Sequence, residues 1–419
     1  MTKSVCIIGA GISGLTAAHE LINKGYIVDV YELNNFIGGR AFSIMYNNKI
    51  IEYSSTLFGK FDSLYQYMKD IDIMDNFKSV NLKLDKYKLN YSNDRIKNFV
   101  NLLEIINKVG TNMDIYYISI EAIRWKTESY KLYLETITFR EALLDNLTDE
   151  AKKILIQIIE IFPVVKISMS ANIIYQLLFD SFGDYKKIDG SINEKLFNPW
   201  YNYLLSKGVN FYFNSYITRH NNNVYLNKKK LNYDVYLFCL STEGANKIFP
   251  NMNIKTSDNF ITLQIYTNNK ILNNYYNIID TPFKIVYKIT DNLISLCITE
   301  YDNIGRIYKK LPFDLSYDQL VDECIDQLKD HINIKKNNII DIKINNIPLL
   351  LIKPNNYIYL NDGKTEYSNM FLVGEFTKTD FLAPLMEKAC QAGILGSKLV
   401  NEYLSEIIYI SNQSNMYQI

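Results

Sequence analysis

The chain has 419 residues, with 45 basic and 45 acidic side chains and a formal net charge of +0. Hydrophobic residues make up 48% and charged residues 21%, which excludes a largely disordered chain, and the length suits two domains. A neutral balance gives no reason to expect nucleic acid as a partner.

The first predicted elements form a strand, a helix and a second strand. The strand Val5 to Ile8 is apolar, the helix ends at Gly25, and the second strand, Ile27 to Tyr31, ends on Glu32. Between the first strand and the helix lies Gly9-Ala10-Gly11-Ile12-Ser13-Gly14. This order is typical of a dinucleotide-binding βαβ unit.

Each glycine of this loop has a physical role in such a unit. Gly9 permits the tight turn, Gly11 lets a pyrophosphate approach the backbone, and Gly14 lets the helix pack closely on the strand. The helix N-terminus offers free N–H groups to the phosphates. Glu32 lies 18 residues after Gly14, where its carboxylate can accept hydrogen bonds from a ribose diol, so FAD or NAD is favoured over NADP.

Six residues later, Gly38-Gly39-Arg40 adds a second glycine pair and a cation. An arginine can donate bidentate hydrogen bonds to phosphate, which suits the long, buried pyrophosphate and ribityl chain of FAD. The alternative is an ordinary glycine turn followed by a solvated arginine.

These motifs resemble the flavin amine oxidase superfamily, which includes protoporphyrinogen oxidases, monoamine and polyamine oxidases, and carotenoid desaturases. Glu52 and Phe58-Gly59 match its next motif, so the resemblance implies that Phe58 lies at the cofactor, whereas Ser54 stands where the superfamily usually has glycine. The implied fold is α/β: a Rossmann-like FAD-binding domain, with a parallel sheet and helices on both faces, interleaved with an α+β substrate domain.

The middle of the chain looks most like plant and cyanobacterial phytoene desaturases, through Asp189-Gly190 to Leu196 and Pro199. A helix, Tyr201 to Ser206, precedes a predicted strand, Asn210 to Ile217. The resemblance implies that Ile217 supplies the backbone contact to adenine.

The C-terminal region fits the same resemblance. An apolar strand, Asn369 to Val373, ends in Gly374-Glu375, and Leu385-Met386 opens a helix. The resemblance implies that Glu375 contacts the pyrophosphate–ribityl region and that the helix start faces the flavin. Glu375 replaces the usual Asp, and Lys388 replaces a usual glycine.

The implied domains are therefore discontinuous. Residues 1–75, 186–245 and 345–419 would form the FAD-binding domain, and residues 76–185 and 246–344 the substrate-binding domain. The first insertion is predicted to be mostly helical, with Thr138 and Thr148 as helix caps. The second is predicted to contain the strands 261–266, 283–289 and 293–298, followed by a helix over 317–331.

No catalytic side chain is identified from the sequence. The three histidines are scattered as His19, His220 and His331, so no metal site is expected, and the chemistry must come from the cofactor. Since there is one Gly-x-Gly-x-x-Gly, electrons are expected to enter from a small organic substrate rather than from NAD(P)H, and to leave to oxygen or a quinone.

Three functions remain open. The aliphatic run Leu349 to Ile352 stands where amine oxidases place an aromatic cage residue, which favours an apolar, isoprenoid-like substrate. An amine or polyamine oxidase is the alternative. A flavin-fold protein without catalysis is the third, because Ser54, Glu375 and Lys388 depart from the superfamily pattern.

The expected location is the reducing cytoplasm, because the chain has neither a secretory signal nor an apolar run that could span a bilayer. An apolar stripe between Phe99 and Val109 could dock on a membrane as an amphipathic helix or pack on the protein core, so peripheral membrane contact stays open. The oligomeric state is not predicted.

Overall fold

The structure is a computed structural model. It describes residues 2–46, 48–53, 57–80, 83–84, 87–88, 94–159, 162, 165–181, 183, 185–188, 190–252, 254, 258–268, 275–277, 283–290, 292–298, 304–329, 338–349, 352–356 and 360–416. Ser54, His331, Leu350 and Leu351, which the sequence analysis singles out, lie outside these ranges.

The strands, in chain order, are β1 Ser4–Ile8, β2 Ile27–Tyr31, β3 Ser43–Tyr46, β4 Lys49–Glu52, β5 Leu57–Phe58, β6 Phe77–Ser79, β7 Lys83–Leu84, β8 Tyr87–Lys88, β9 Lys186–Ile188, β10 Asn210–Tyr212, β11 Ile217–His220, β12 Asn223–Leu226, β13 Lys229–Lys230, β14 Val235–Cys239, β15 Asp258–Thr267, β16 Tyr275–Asn277, β17 Phe283–Thr290, β18 Leu293–Ile298, β19 Ile339–Leu349 and β20 Met370–Val373.

The α-helices are α1 Ile12–Asn23, α2 Asp62–Asp70, α3 Arg95–Val109, α4 Asn112–Arg124, α5 Glu128–Leu134, α6 Phe139–Ala142, α7 Asp149–Ile159, α8 Ala171–Phe179, α9 Asn198–Ser206, α10 Thr242–Ile248, α11 Tyr317–Leu328 and α12 Met386–Met416. A π-helical turn, Asn193–Phe197, precedes α9.

A parallel five-stranded sheet carries the N-terminal motif at one edge. Its strand order is β10-β2-β1-β14-β20, so β1 lies at the centre, with Ile7 paired to Val30 on one side and to Leu237 on the other. Strands buried on both faces favour continuous apolar runs, and all five residues of β14 are buried. The predicted Rossmann-like α/β fold is confirmed.

Helix α12 brings the C-terminal part of the chain back onto α1. Gly393 allows this approach, because a Cβ there would lie 2.4 Å from the carbonyl oxygen of Ser13 and 2.7 Å from Cβ of Thr16. The cofactor motifs at the two ends of the chain are therefore packed together, although more than 300 residues separate them in the sequence.

A second, mainly antiparallel sheet has seven strands in the order β19-β15-β18-β17-β16-β7-β8. Helix α11 packs on it through Leu320, Val321, Cys324 and Leu328, and these side chains form a separate core with Leu263 and its neighbours. The Thr138 cap is also present, since its Oγ1 accepts from the Glu141 amide. The division into FAD-binding and substrate-binding domains at the predicted boundaries stays a prediction.

The single strand predicted from Asn210 to Ile217 is wrong. The chain forms β10 and β11 instead, because Asn214 adopts a left-handed φ of 51° between them. The Asn214 and Ser215 amides donate to the carbonyl oxygens of Asn34 and Glu32 at 3.1 Å and 2.8 Å. The break turns the chain around the end of β2, beside the dinucleotide motif.

The apolar stripe of α3 packs mainly on the protein core. Leu102, Ile105 and Ile106 are buried, whereas Ile96 and Val100 are exposed. Within the described ranges, every helix falls short of the length and apolar character needed to cross a bilayer. Peripheral membrane contact stays a prediction.

Candidate functional site: a dinucleotide cavity with an apolar end

A cavity of about 660 Å³ lies at the carboxyl ends of β1, β2 and β14. This edge is where open α/β sheets bind their ligands, and the volume is within the usual range for a ligand pocket. Its walls come from the N-terminal motif, from residues 215–220, from α10, and from the segment between β20 and α12.

The three loop glycines are required in different ways. Gly9 has a φ of 107°, and a Cβ there would lie 2.2 Å from the Cys239 carbonyl oxygen. A Cβ on Gly14 would lie 1.9 Å from the Gly9 carbonyl oxygen. At Gly11 a Cβ would meet one described atom within 4 Å, the Gly39 Cα at 3.7 Å. Gly9 and Gly14 are therefore demanded by packing, whereas Gly11 leaves space on the cavity wall.

Helix α1 begins at this wall with Gly11 as its N-cap. A glycine cannot donate or accept through a side chain, and no described side chain caps the first turn of this helix. Ile12 and Ser13 line the cavity there. Uncapped N–H groups at a helix N-terminus bind phosphate, because the helix dipole also favours negative charge at that end.

Glu32 is buried and held on both sides. Its Oε2 accepts from the Ala10 amide at 2.8 Å, and its Oε1 accepts from the Asn34 amide at 2.9 Å and from Asn34 Nδ2 at 3.0 Å. An ionised carboxylate has about four acceptor positions. The side chain therefore keeps capacity for a ribose hydroxyl while its orientation is set by the backbone.

The glycine pair Gly38-Gly39 forms part of the same cavity wall. Both residues have positive φ values, 106° and 62°. The Gly38 amide donates to the Ala10 carbonyl at 2.9 Å, and a Cβ on Gly39 would lie 3.1 Å from the Gly11 Cα. The two glycine loops therefore touch, so Gly38-Gly39 is not an isolated glycine turn.

Arg40 is joined to the C-terminal motif by an ion pair. Its NH2 group donates to Glu375 Oε2 at 2.7 Å, and Glu375 Oε1 accepts from Thr242 Oγ1 at 2.9 Å. Glu375 is buried, while the Arg40 side chain is 39% exposed. Both residues are predicted from sequence motifs, but their pairing is not, because they lie 335 positions apart and no local pattern connects them.

One part of the cavity wall, here called the apolar end, is formed by Leu57, Phe61 and Phe162, and the rings of Phe61 and Phe162 are stacked with centroids 6.3 Å apart. Phe381 packs edge-on against Phe61, with centroids 6.0 Å apart. The charged side chains on the described wall are Glu32, Arg40, Arg219, Lys247 and Glu375, and the polar wall residue Tyr53 lies four positions before Leu57 in the sequence.

Most of the predicted cofactor residues lie on this cavity wall. They are Gly9, Gly11, Ile12, Ser13, Glu32, Gly38, Gly39, Arg40, Ile217, Gly374, Glu375, Leu385 and Met386. Ala10 is buried behind the loop, and Gly14 packs under Gly9. Phe58 is fully buried and packs against Phe77, with ring centroids 5.0 Å apart, so the structure places it behind the wall.

Sequence reasoning missed the wall residues around Ile217 and on α10. They include Ser215, Tyr216, Thr218, Ser241, Gly244 and Lys247. The turn at Asn214 carries the first three around the end of β2. The local signal for this turn is Asn214 followed by Ser215, a pair that favours a turn rather than a continuous strand.

The described residues fit FAD on observations of this structure. The open space above Gly11 and the uncapped start of α1 suit a diphosphate, and the buried Glu32 carboxylate suits a ribose diol. The apolar end lined by Leu57, Phe61 and Leu385 suits a flat aromatic ring system.

Comparisons with known proteins agree with this arrangement. Residues 7–71 match the family model described as an NAD(P)-binding Rossmann-like domain. Zeta-carotene desaturase (chloroplastic/chromoplastic) from Capsicum annuum is 38% identical over 74 residues, which are 17% of this chain and 13% of the desaturase. Polyenoic fatty acid isomerase from Ptilota filicina is 29% identical over 125 residues, 27% of this chain and 24% of the isomerase.

A solved structure of a putrescine oxidase variant with a redesigned cofactor site is similar over almost the whole chain. It gives a TM-score of 0.67 at 14% identity and covers 97% of this chain and 99% of that one. At this identity the likeness shows the fold. The sequence matches span about an eighth and a quarter of the two curated relatives.

Residues 7–71 are therefore similar to an NAD(P)-binding Rossmann-like domain, the whole chain has a fold similar to that of putrescine oxidase, and its sequence relatives include carotenoid desaturases. The predicted resemblance is confirmed at this level. FAD, the predicted cofactor, agrees with these relatives and with the cavity.

Proposed function

We propose that this protein is an FAD-dependent oxidoreductase that removes a hydride from an apolar organic substrate and passes the electrons to oxygen or a quinone. The observation that carries the proposal is one cavity that joins a dinucleotide wall, with Gly11 and Glu32, to an apolar end with Phe61 and Phe162. A site of this shape can hold a dinucleotide and an apolar molecule in contact.

The residues of the chain have distinct parts in this proposal. When bound, FAD supplies the hydride acceptor at its flavin N5 atom. Glu32 accepts hydrogen bonds from the ribose, and the N–H groups at the start of α1 bind the diphosphate together with Arg40. Glu375 orients Arg40 through the ion pair at 2.7 Å.

The apolar end orients the substrate and excludes water. Phe162, with Phe61 stacked on it, offers a ring to an extended hydrocarbon, and Leu57 and Leu385 contact the flavin ring beside the substrate. Removal of a hydride from a C–H bond next to a double bond leaves an allylic cation, and the neighbouring carbon then loses a proton to solvent to complete the new double bond. The described residues of this end include no histidine that could take this proton instead.

Of the described residues between Ile154 and Val165, Phe162 lines this pocket. The described residues Ile154, Leu155, Ile158 and Ile159 are buried in the core and do not line the cavity. Of the aliphatic run at 349–352, Ile352 is buried, and its carbonyl accepts from the Ser170 amide. Support for an apolar substrate therefore rests on the aromatic end of the cavity.

Amine oxidation is the second candidate. The likeness to a putrescine oxidase over 97% of the chain favours it, and aromatic rings can stabilise a cationic amine. The described apolar end contains no tryptophan and no carboxylate, which a cationic substrate would use as partners. For this reason we rank the apolar substrate first. A flavin-fold protein without catalysis is the third candidate.

One experiment separates these functions. The protein is loaded with FAD and mixed anaerobically with a linear isoprenoid polyene, a polyenoic fatty acid, putrescine and spermine, while flavin absorbance near 450 nm is followed. Bleaching by an isoprenoid or fatty acid, with a new double bond in the product, supports the proposal. Stoichiometric bleaching by an amine, with hydrogen peroxide released in air, assigns amine oxidation instead.

Two other results would exclude catalysis of either kind. A protein that binds FAD but is not bleached by any of these compounds supports the non-catalytic class. A protein that does not bind FAD removes the proposal altogether. The cytoplasmic location and any membrane partner stay predictions.

A further inference from the structure

Lys388 is a fully buried lysine at the start of α12. It stands where the superfamily resemblance places a glycine, so its side chain fills space that the related motif leaves free. Lysine is rarely buried completely unless its ammonium group is paired, because removing the charge from water is costly.

Its partners lie on the segment that joins β20 to α12. Lys388 Nζ donates to Thr379 Oγ1 at 3.1 Å and lies 3.5 Å from the carbonyl oxygen of Phe381, and Thr379 Oγ1 donates to that same carbonyl at 2.8 Å. This segment lines the cavity before and after these residues, at Gly374-Glu375 and at Pro384-Leu385. Lys388 therefore holds the cavity-lining segment in place through Thr379 and Phe381, two residues of the segment that do not line the cavity themselves.

Two uncharged side chains hold the same segment. Gln391 Oε1 accepts from the Phe381 amide at 2.8 Å. Gln176, on α8, accepts from the Leu382 amide and donates to the Asp380 carbonyl, both at 2.7 Å. Of the three side chains Lys388, Gln391 and Gln176, which bond to this segment, Lys388 is the one whose charge can change.

The charge of Lys388 also acts on the ion pair in the cavity. Burial lowers the pKa of Lys388 to about 7, and Glu375 opposes this shift. Glu375 is the ion-pair partner of Arg40. A protonated Lys388 offsets the negative charge of Glu375, which leaves more of the positive charge of Arg40 to attract a diphosphate.

Other ionisable groups near Lys388 are directed elsewhere. Glu387 accepts from the Ser63 and Leu64 amides at the start of α2. Lys378 and Asp380 are exposed. His220 is a titratable residue of the cavity wall on β11, and its contribution to any pH effect needs a separate control.

We propose that Lys388 is a positioning residue for the cofactor, and that the affinity for FAD depends on whether its side chain carries a proton. The inference rests on the proposed FAD site. The protonated form holds the segment 376–385 by charged hydrogen bonds and supports Arg40, whereas the neutral amine does so weakly. FAD therefore binds more tightly at low pH and takes up part of a proton as it binds.

The test measures the FAD dissociation constant of the apoprotein by flavin fluorescence quenching between about pH 6 and pH 9. In the wild type we expect the FAD dissociation constant to rise on the order of tenfold across this range, which corresponds to the free energy of about one charge-assisted hydrogen bond.

The variants show whether Lys388 causes this rise. Lys388→Met should bind FAD weakly with little pH dependence. Lys398→Met, at an exposed lysine on the same helix, should keep the wild-type profile. His220→Gln should retain the pH dependence whatever its affinity.

Calorimetry in buffers of different ionisation enthalpy gives a second measurement that needs no variant. Proton uptake on FAD binding near pH 7 to 8 supports the inference, and its absence overturns it. A Lys388→Met protein that keeps the wild-type pH profile also overturns it, even if its affinity is lower, because the side chain would then matter for packing alone. FAD binding that is tight but independent of pH refutes this inference and leaves the proposed function standing, whereas no FAD binding at any pH refutes both.

Discussion

The glycines at the start of the chain differ in purpose: two are needed for packing, and one leaves room for a ligand. Gly9 and Gly14 have no room for a side chain, because backbone oxygens occupy the positions where a Cβ would stand. Gly11 has room, and its backbone conformation, with φ of −77°, suits any residue. The fold therefore does not require a glycine at position 11, and the free space beside it is available to a ligand.

We predict that Gly11→Val folds normally and loses FAD. The branched side chain would extend into the cavity at the start of α1, so the FAD dissociation constant should rise by at least about a hundredfold, while the free energy of unfolding of the apoprotein changes by about 1 kcal/mol or less. Flavin retention and urea unfolding measure the two effects. Gly14→Val is the matched variant and should not fold. A Gly11→Val protein that purifies with full flavin would contradict the assignment.

His19 gives a second prediction for single residues, about pH and stability. It is buried in α1, its Nδ1 accepts from Trp200 Nε1 at 3.2 Å, and its ring stacks on Tyr203 with centroids 4.9 Å apart. Burial lowers the pKa of His19 in the folded protein below its ordinary value of 6.5. The unfolded chain therefore binds this proton first as the pH falls, so stability declines below about pH 6.5.

Thermal unfolding between about pH 5 and pH 8 measures this effect. His19→Gln keeps an acceptor for Trp200 but cannot titrate, so its unfolding temperature should decline less as the pH falls. His220→Gln changes an exposed histidine and serves as the control. Equal slopes for the wild type and His19→Gln would show that His19 does not contribute.

At the scale of elements, α3 shows how one helix divides its apolar residues between core and surface. Leu102 is fully buried, whereas Val100 is 44% exposed. We predict that Leu102→Ala lowers the free energy of unfolding by about 2 to 5 kcal/mol and that Val100→Ala changes it by about 0.5 kcal/mol or less. Denaturant unfolding of both variants checks this. Comparable losses at the two positions would mean that α3 packs differently.

The break between β10 and β11 is the element that completes the cavity. The amides of Asn214 and Ser215 bond to the chain just after β2, and residues 215–220 then run along the cavity wall. A continuous strand would have carried these residues away along the sheet edge. The predicted backbone contact from Ile217 stays a prediction, and the structure places this residue on the wall.

At the scale of the whole molecule, the single glycine-rich dinucleotide motif of the sequence lines the cavity described above. We predict that neither NADH nor NADPH reduces the bound flavin rapidly under anaerobic conditions, because the sequence has a single Gly-x-Gly-x-x-Gly. Absorbance near 450 nm after mixing measures this, and dithionite serves as the positive control. Bleaching by NADPH within seconds would point to a second nucleotide site and to a different source of electrons.

The sequence by itself determined the local parts of this protein. The order of strand, helix and strand from β1 to β2, the need for glycine at positions 9 and 14 and the apolar face of α11 all follow from short-range patterns and backbone sterics. These are the features in which a residue's neighbours in sequence are also its neighbours in space.

Tertiary structure alone decided how distant segments meet. The pairing of Arg40 with Glu375 joins residues 335 positions apart. The pair Asn214-Ser215 favours a turn locally, but the hydrogen bonds to Asn34 and Glu32 that place this turn beside β2 are tertiary, as is the burial of Lys388 against Thr379. Phe58 illustrates the same limit, because its motif predicts proximity to the cofactor while packing against Phe77 places it behind the wall. Long-range packing chooses one partner among many that are chemically equivalent, and a single sequence does not reveal which one.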